Sequence, residues 1–194
     1  MSQKNHQPLL LISREISHHA AKSGYGRLVN YLPGKVIDNS QAPLLPWGLL
    51  NLLSRSARHP LYSSSSFNKE LAAMMYMPFD LGGIVHYLYA ENDCRILRKC
   101  ADLTRYKLIG TIHRPPQLLD SVFDRQHIYL NSLDGVICVG MNQVDYICDI
   151  VGHENVWFIP HGVDTDFFAP DDSEKKNQQS CLFVGSMLRD VELF

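Results

Sequence analysis

Short, continuously apolar runs alternate with amphipathic stretches along this chain. The runs at 9–16, 35–39, 83–89, 107–113, 135–140 and 155–160 (LLLISREI, KVIDN, GIVHYLY, KLIGTIH, GVICVG, NVWFIP) have the pattern of strands buried on both faces. Helical spacing is read between them at 25–32, 92–106, 118–132 and 142–151. In 92–106, Ile96, Leu97, Cys100, Ala101 and Leu103 make the apolar side, with Arg95, Arg98, Lys99 and Arg105 between them. Pro33-Gly34 ends the first of these helices and Gly152 the last. Consecutive β–α–β steps between 83 and 160 predict an α/β, doubly wound (Rossmann-like) parallel sheet covered on both sides.

Residues 40–68 are the least regular part, interrupted by Pro43, Pro46 and Pro60. Here 47–53 offers one or two helical turns, and 63–66 reads as a flexible polar tract. Asn68 is expected as the N-cap of a helix running to Met77, with Glu70 in its first turn. Residues 171–180 (DDSEKKNQQS) lack apolar periodicity and read as a linker, after which 181–185 (CLFVG) is a fresh strand. The expected organisation is a domain over 1–170, a linker over 171–180, and an incomplete second α/β domain over 181–194.

The net charge of −2 hides an asymmetry: residues 1–100 hold 11 Lys/Arg against 6 Asp/Glu, and residues 101–194 hold 7 against 14. A basic first half suits an anionic partner, a phosphate ligand or a lipid surface, or else is scattered solvated charge. Arg95, Arg98, Lys99 and Arg105 carry the same two readings, a solvated helix face or contact with an anionic membrane. Cys94, Cys100, Cys138, Cys148 and Cys181 are odd in number and form no C-x-x-C pair, as expected of reduced thiols in a cytoplasmic protein. No apolar run approaches the ~20 residues of a membrane span, which leaves peripheral membrane contact open. Nothing in the pattern points to nucleic acid.

In such a sheet, ligands sit outside the carboxyl ends of the strands. After the first strand come His18-His19, Lys22, and Gly24-Tyr25-Gly26 at a helix start, where backbone N–H groups can approach an anion. A simple turn is the plainer reading of the glycines. A dinucleotide fingerprint fits poorly, with Val29 at its third glycine position, although Asp38 ends the second strand as that reading requires. The His18-His19 pair has no third ligand at a metal-binding spacing. His86 lies near the carboxyl end of a central strand. His113 and Arg114 end the next strand and suit anion contact, with Pro115-Pro116 fixing the loop. The last strand exits through Ile159-Pro160-His161-Gly162-Val163-Asp164.

IPHGVDTDFFAP, a polar linker and a strand FVGS together resemble the interdomain crossover of GT-B glycosyltransferases. The match is to the retaining group with a glycosyltransferase subfamily-4-like N-terminal domain, whose usual form is I-P-N-G-V-D-x-x-x-F-x-P followed by V-G-R. The loop with Gly24 and Gly26, the strand with His86, the T-x-H strand end (Thr111, His113) and LDGVICVG fall in the family's order. The resemblance implies metal-independent glycosyl transfer from a nucleotide-sugar co-substrate to a saccharide or lipid-linked acceptor, with no cofactor. It implies that the leaving diphosphate is stabilised electrostatically. By similarity, His86 lies near the transferred sugar as the catalytic candidate, and Gly24 and Gly26 approach the donor phosphates or the reacting centre. His113, Arg114, His161, Gly162 and Asp164 line the cleft. Ser186 stands where the family has Arg, with Arg189 as the nearby basic substitute. The family's E-x7-E region is absent, so the chain is expected to lack most of a donor domain and to be weakly active or inactive alone. The alternatives are a non-catalytic binding module, a subunit of a split enzyme, and an NAD(P)-dependent oxidoreductase.

Overall fold

A computed structural model describes residues 8–16, 24–77, 82–101, 105–123 and 130–169. Its centre is a sheet of six parallel strands in the order β2-β1-β3-β4-β5-β6. The strands are β1 (Leu9–Ile12), β2 (Lys35–Ile37), β3 (Gly83–Tyr87), β4 (Tyr106–Ile112), β5 (Gly135–Cys138) and β6 (Val156–Phe158). All six occur where the apolar runs predicted them; β4 is as long as its run and shifted by one residue, and the other strands are shorter than theirs. Branched and aromatic side chains that are buried on both faces suit only a covered parallel sheet.

The connections are helical. A 3₁₀ helix (Tyr25–Asn30) follows β1, where an α-helix over 25–32 was expected. Then come α1 (Trp47–Arg55), α2 (Ser64–Tyr76), α3 (Ala90–Asp93), α4 (Arg98–Ala101), α5 (Pro116–Phe123) and α6 (Met141–Val151). The α6 helix ends as expected at Gly152, whose φ of 88° favours glycine. Leu10, Ile12, Val85, Leu108 and Val136 from the sheet share the main core with Ala72, Leu97, Leu119 and Ile147 from the helices and their connections. The chain divides into a unit through Val163 and a second beginning at Asp164. The linker 171–180, the strand 181–185, Ser186, Arg189, His18, His19 and Cys181 lie outside the described residues. Among the described residues Cys94, Cys138 and Cys148 are free and buried.

Two corrections concern the helices. Asn68 is not an N-cap. The cap is Ser63, whose hydroxyl accepts from the Ser66 N–H while the Ser66 hydroxyl accepts from the Ser63 N–H. The tract read as flexible thus starts α2, and Asn68, Lys69 and Glu70 lie within it, buried. The second correction is at 92–106, which is not one helix. The N–H groups of Arg95, Ile96 and Leu97 turn to the Glu70 carboxylate instead of to helix carbonyls, and Tyr106 already belongs to β4. Arg95 is buried with Glu91 and Cys94 carbonyls and His59 as partners, so it is on neither a solvated nor a membrane-facing surface.

Candidate functional site

The strand order reverses between β1 and β3, and the crevice at such a switch point is where doubly wound sheets take ligands. The loop after β1 brings Tyr25 there and the exit of β3 brings Tyr89. The exit of β4 brings His113, and the turn after β6 brings His161. The rings meet. Tyr89 stacks on His113 with centroids 4.5 Å apart, and Tyr25 sits edge-on to His113 at 4.8 Å. His161 lies 5.1 Å from the Tyr25 ring and 5.2 Å from that of His113.

Hydrogen bonds fix the tautomers of the histidine pair. The Leu88 carbonyl can only accept, so His113 Nε2 carries a proton and donates to it at 2.7 Å. In the neutral ring Nδ1 is then an acceptor, and His161 Nε2–H donates to it at 3.2 Å. The backbone on either side of His113 is clamped. Its own N–H donates to Glu91 Oε1, and Gln143 Nε2 donates to the carbonyls of Ile112 and Arg114. Glu91 comes this close because α3 packs on β4 at Gly110, where a Cβ would lie 2.7 Å from that of Ala90. Burial pushes the Glu91 carboxyl up to about 7, and its Oε2 is buried with no hydrogen-bond partner.

His86 lies beneath the rings, 7% exposed, with Nε2 2.9 Å from Thr111 Oγ1. The same hydroxyl is 3.3 Å from the Tyr25 hydroxyl, so one hydrogen-bonded line joins His86 to the ring cluster. Burial lowers His86 to about 4, which keeps it neutral near pH 7. Burial raises Tyr25 and Tyr89, and the backbone N–H groups of Gly26 and Tyr25 offset part of the rise at Tyr89. Gly24 has a φ of 87° and needs to be glycine. A Cβ on Gly26 would make only ordinary contacts with Arg14 and Ser13, and one on Gly162 would meet open space.

Below the cluster, Arg14 donates to Asp93 and Ser66, and Lys69 donates to Asp93 and to the Ser13 carbonyl. Two cations at the β1 exit thereby share one buried carboxylate. Asp38 accepts from the N–H and hydroxyl of Ser40, a turn that engages one of its carboxylate oxygens. Among the described residues no group of three or more His, Cys, Asp or Glu is arranged to hold a metal.

Of the residues expected to be functional, His86, His113 and His161 join one network, and Gly24 and Gly26 flank Tyr25. Arg114 is next to His113 and favours the ionised form of Glu91. Asp164 caps its own turn, its side chain accepting from the N–H groups of Asp166 and Phe167. Tyr25, Tyr89, Glu91 and Gln143 were not anticipated as site residues. Glu91 left one trace, an acid just after an apolar strand and two residues before Asp93 (YLYAEND).

No protein-family model and no curated protein matches the chain. The fold is similar to that in the crystal structure of Anabaena Alr3699/HepE in complex with UDP and glucose, with a TM-score of 0.52 and 14% identity over 87% of this chain. The chain spans about half of that structure, 48% of its length. At this identity the likeness shows the fold, an α/β Rossmann-like sheet.

Proposed function

We propose that this chain forms the acceptor side of a retaining, metal-independent GT-B glycosyltransferase. The observation that carries the reading is the cluster of Tyr25, Tyr89, His113 and His161 at the carboxyl-end switch point, in a fold similar to that of a protein solved with UDP and glucose. Tyrosine and histidine rings give a pyranose apolar faces, and their polar atoms give its hydroxyls partners. A saccharide acceptor rests against the exposed His161 and half-buried His113 rings, which the buried Tyr25 and Tyr89 support from behind, and the histidine pair is close enough to take or hold a hydroxyl proton. His86 acts from below as a neutral group, through Thr111 and Tyr25. Ser186 and Arg189 are the candidates for contact with the donor diphosphate.

The test separates the two sides of the reaction. Saccharides titrated into the chain should shift the His113 and His161 ring proton resonances, and Tyr25→Ala should abolish the shift. UDP-, GDP- and ADP-sugars should bind at least about tenfold more weakly than to a protein carrying both halves of a cleft, the scale of a few lost phosphate contacts. Steady transfer by the 194-residue chain alone would overturn the half-site reading. Saturable binding of NADH, seen by nicotinamide fluorescence, would replace glycosyl transfer with redox chemistry.

A further inference from the structure

Residues 88–91, at the exit of β3, hold His113 in three ways. The Leu88 carbonyl accepts the ring Nε2–H, the Tyr89 ring stacks on the imidazole, and Glu91 Oε1 accepts the backbone N–H at 3.1 Å. The first two contacts orient the ring, and the third fixes the backbone that carries it. The hold extends to His161, whose ring donates to the nitrogen that the His113 tautomer leaves free.

A carboxyl is a costly choice for this task. Glu91 is 2% exposed, and its Oε2 is buried without a hydrogen-bond partner among the described residues. Capping one N–H does not require a group that can carry charge, and leaving a buried carboxyl oxygen without a donor opposes folding. Groups of this kind concentrate where they serve a site beside them. The helix α3 packs on α2 and β4, and the charges near the carboxyl come from these elements and their surroundings. From α2, Lys69 bonds Asp93, and Glu70 takes the N–H groups of Arg95, Ile96 and Leu97. Arg14, at the β1 exit, bonds the same Asp93, and the Arg95 guanidinium donates to the Glu91 carbonyl. Burial is the largest influence on the carboxyl and raises it to about 7. Its backbone N–H bonds and Arg114, beyond β4, oppose the rise, and Asp93 adds to it.

We propose that Glu91 is a positioning residue for the acceptor site: its carboxyl fixes the backbone of His113 and so sets the His113–His161 pair in line for a saccharide hydroxyl. The role towards the saccharide rests on the acceptor-site reading, whereas the hold on His113 does not.

The experiment is heteronuclear NMR of the full chain as parent, Glu91→Ala and Glu91→Gln, with methyl glucoside as the pyranose probe. The parent should show His113 ring nitrogens of the Nε2–H tautomer. Its His113 amide proton should move with a midpoint near pH 7, as the acceptor gains or loses charge. Glu91→Gln should keep the tautomer and lose that movement. Any titration of the histidine rings is common to both proteins and cancels in the comparison. At about pH 6 Glu91→Gln should bind the glucoside as the parent does, and at about pH 8 several-fold more weakly, through loss of the charge-assisted bond. Glu91→Ala should average the ring nitrogens between tautomers and weaken glucoside binding by at least about tenfold. The parent's ring nitrogens and affinity in Glu91→Ala, or an amide movement that survives in Glu91→Gln, would overturn the proposal. Should Glu91→Ala fail to fold, the amide of Glu91→Gln decides alone. Ring and amide signals as expected, with no glucoside bound to the parent, would overturn the acceptor-site role and the reading beneath it while the hold on His113 stands.

Discussion

Beneath the rings, Glu91 and His86 are both buried, and that burial disfavours the charged form of each. They act on stability with opposite sign. Folding raises Glu91 from 4.5 to about 7, so the folded state binds the extra proton, and its stabilising effect is full below about pH 4.5 and lost as pH rises towards 7. Folding lowers His86 from 6.5 to about 4, so here the unfolded state binds the extra proton. Stability from His86 is full above about pH 6.5 and lost as pH falls towards 4. Between these limits the two slopes cancel, each on the order of 1.4 kcal/mol per pH unit. Glu91→Gln keeps an acceptor for the His113 N–H but cannot titrate. Its stability relative to the parent should therefore climb from pH 4.5 to 6.5, by on the order of 2–3 kcal/mol in urea unfolding. His86→Gln should show the opposite trend relative to the parent. Parallel pH profiles for all three proteins would mean that folding changes the proton affinity of neither group.

At the scale of the element, α2 is unusual in burying Ser66, Asn68, Lys69 and Glu70 on its packed side. Glu70 accepts from the hydroxyls of Tyr62 and Tyr87 and from the N–H groups of Arg95, Ile96 and Leu97. Burial raises its carboxyl, and these donors hold the rise in check. Glu70→Gln turns an amide NH₂ towards a ring of donors. The expected cost is on the order of 2–4 kcal/mol, with amide exchange accelerated at Arg95, Ile96 and Leu97 before it is at the strands. Uniform acceleration across the domain would refute a local anchoring role.

The same contact explains what could be read in advance. The strands were legible because apolar runs report burial directly, and a parallel sheet demands it. The break between α3 and α4 was not, because local spacing at 92–106 favours a helix and the competing acceptor, Glu70, is distant in sequence. Asn68 misled for the same reason: a capping residue type serves here as a tertiary staple to residues 41–44. At the site, His113 and His161 stood out as polar residues at strand exits. Tyr25 and Tyr89 did not, because an aromatic beside an apolar run looks like core until the loops bring the rings together.

Over the whole sheet, two surfaces of the first unit have separate anchors. The ring cluster is held from the strand ends by Glu91, Gln143 and Thr111, whereas α1 is held through Asn68 and the Leu50 cluster. No residue serves both sets, and residues without shared partners respond nearly independently. Amide exchange of the chain with saccharide should therefore slow around Tyr25, Tyr89 and His113 and leave residues 44–55 unchanged. Leu50→Ala should speed exchange at residues 44–55 and leave the saccharide effect at the cluster intact. A Leu50→Ala protein in which saccharide no longer slows exchange at His113 would mean that the two anchors are coupled through the sheet, since a change confined to the α1 packing would then be felt at the strand ends.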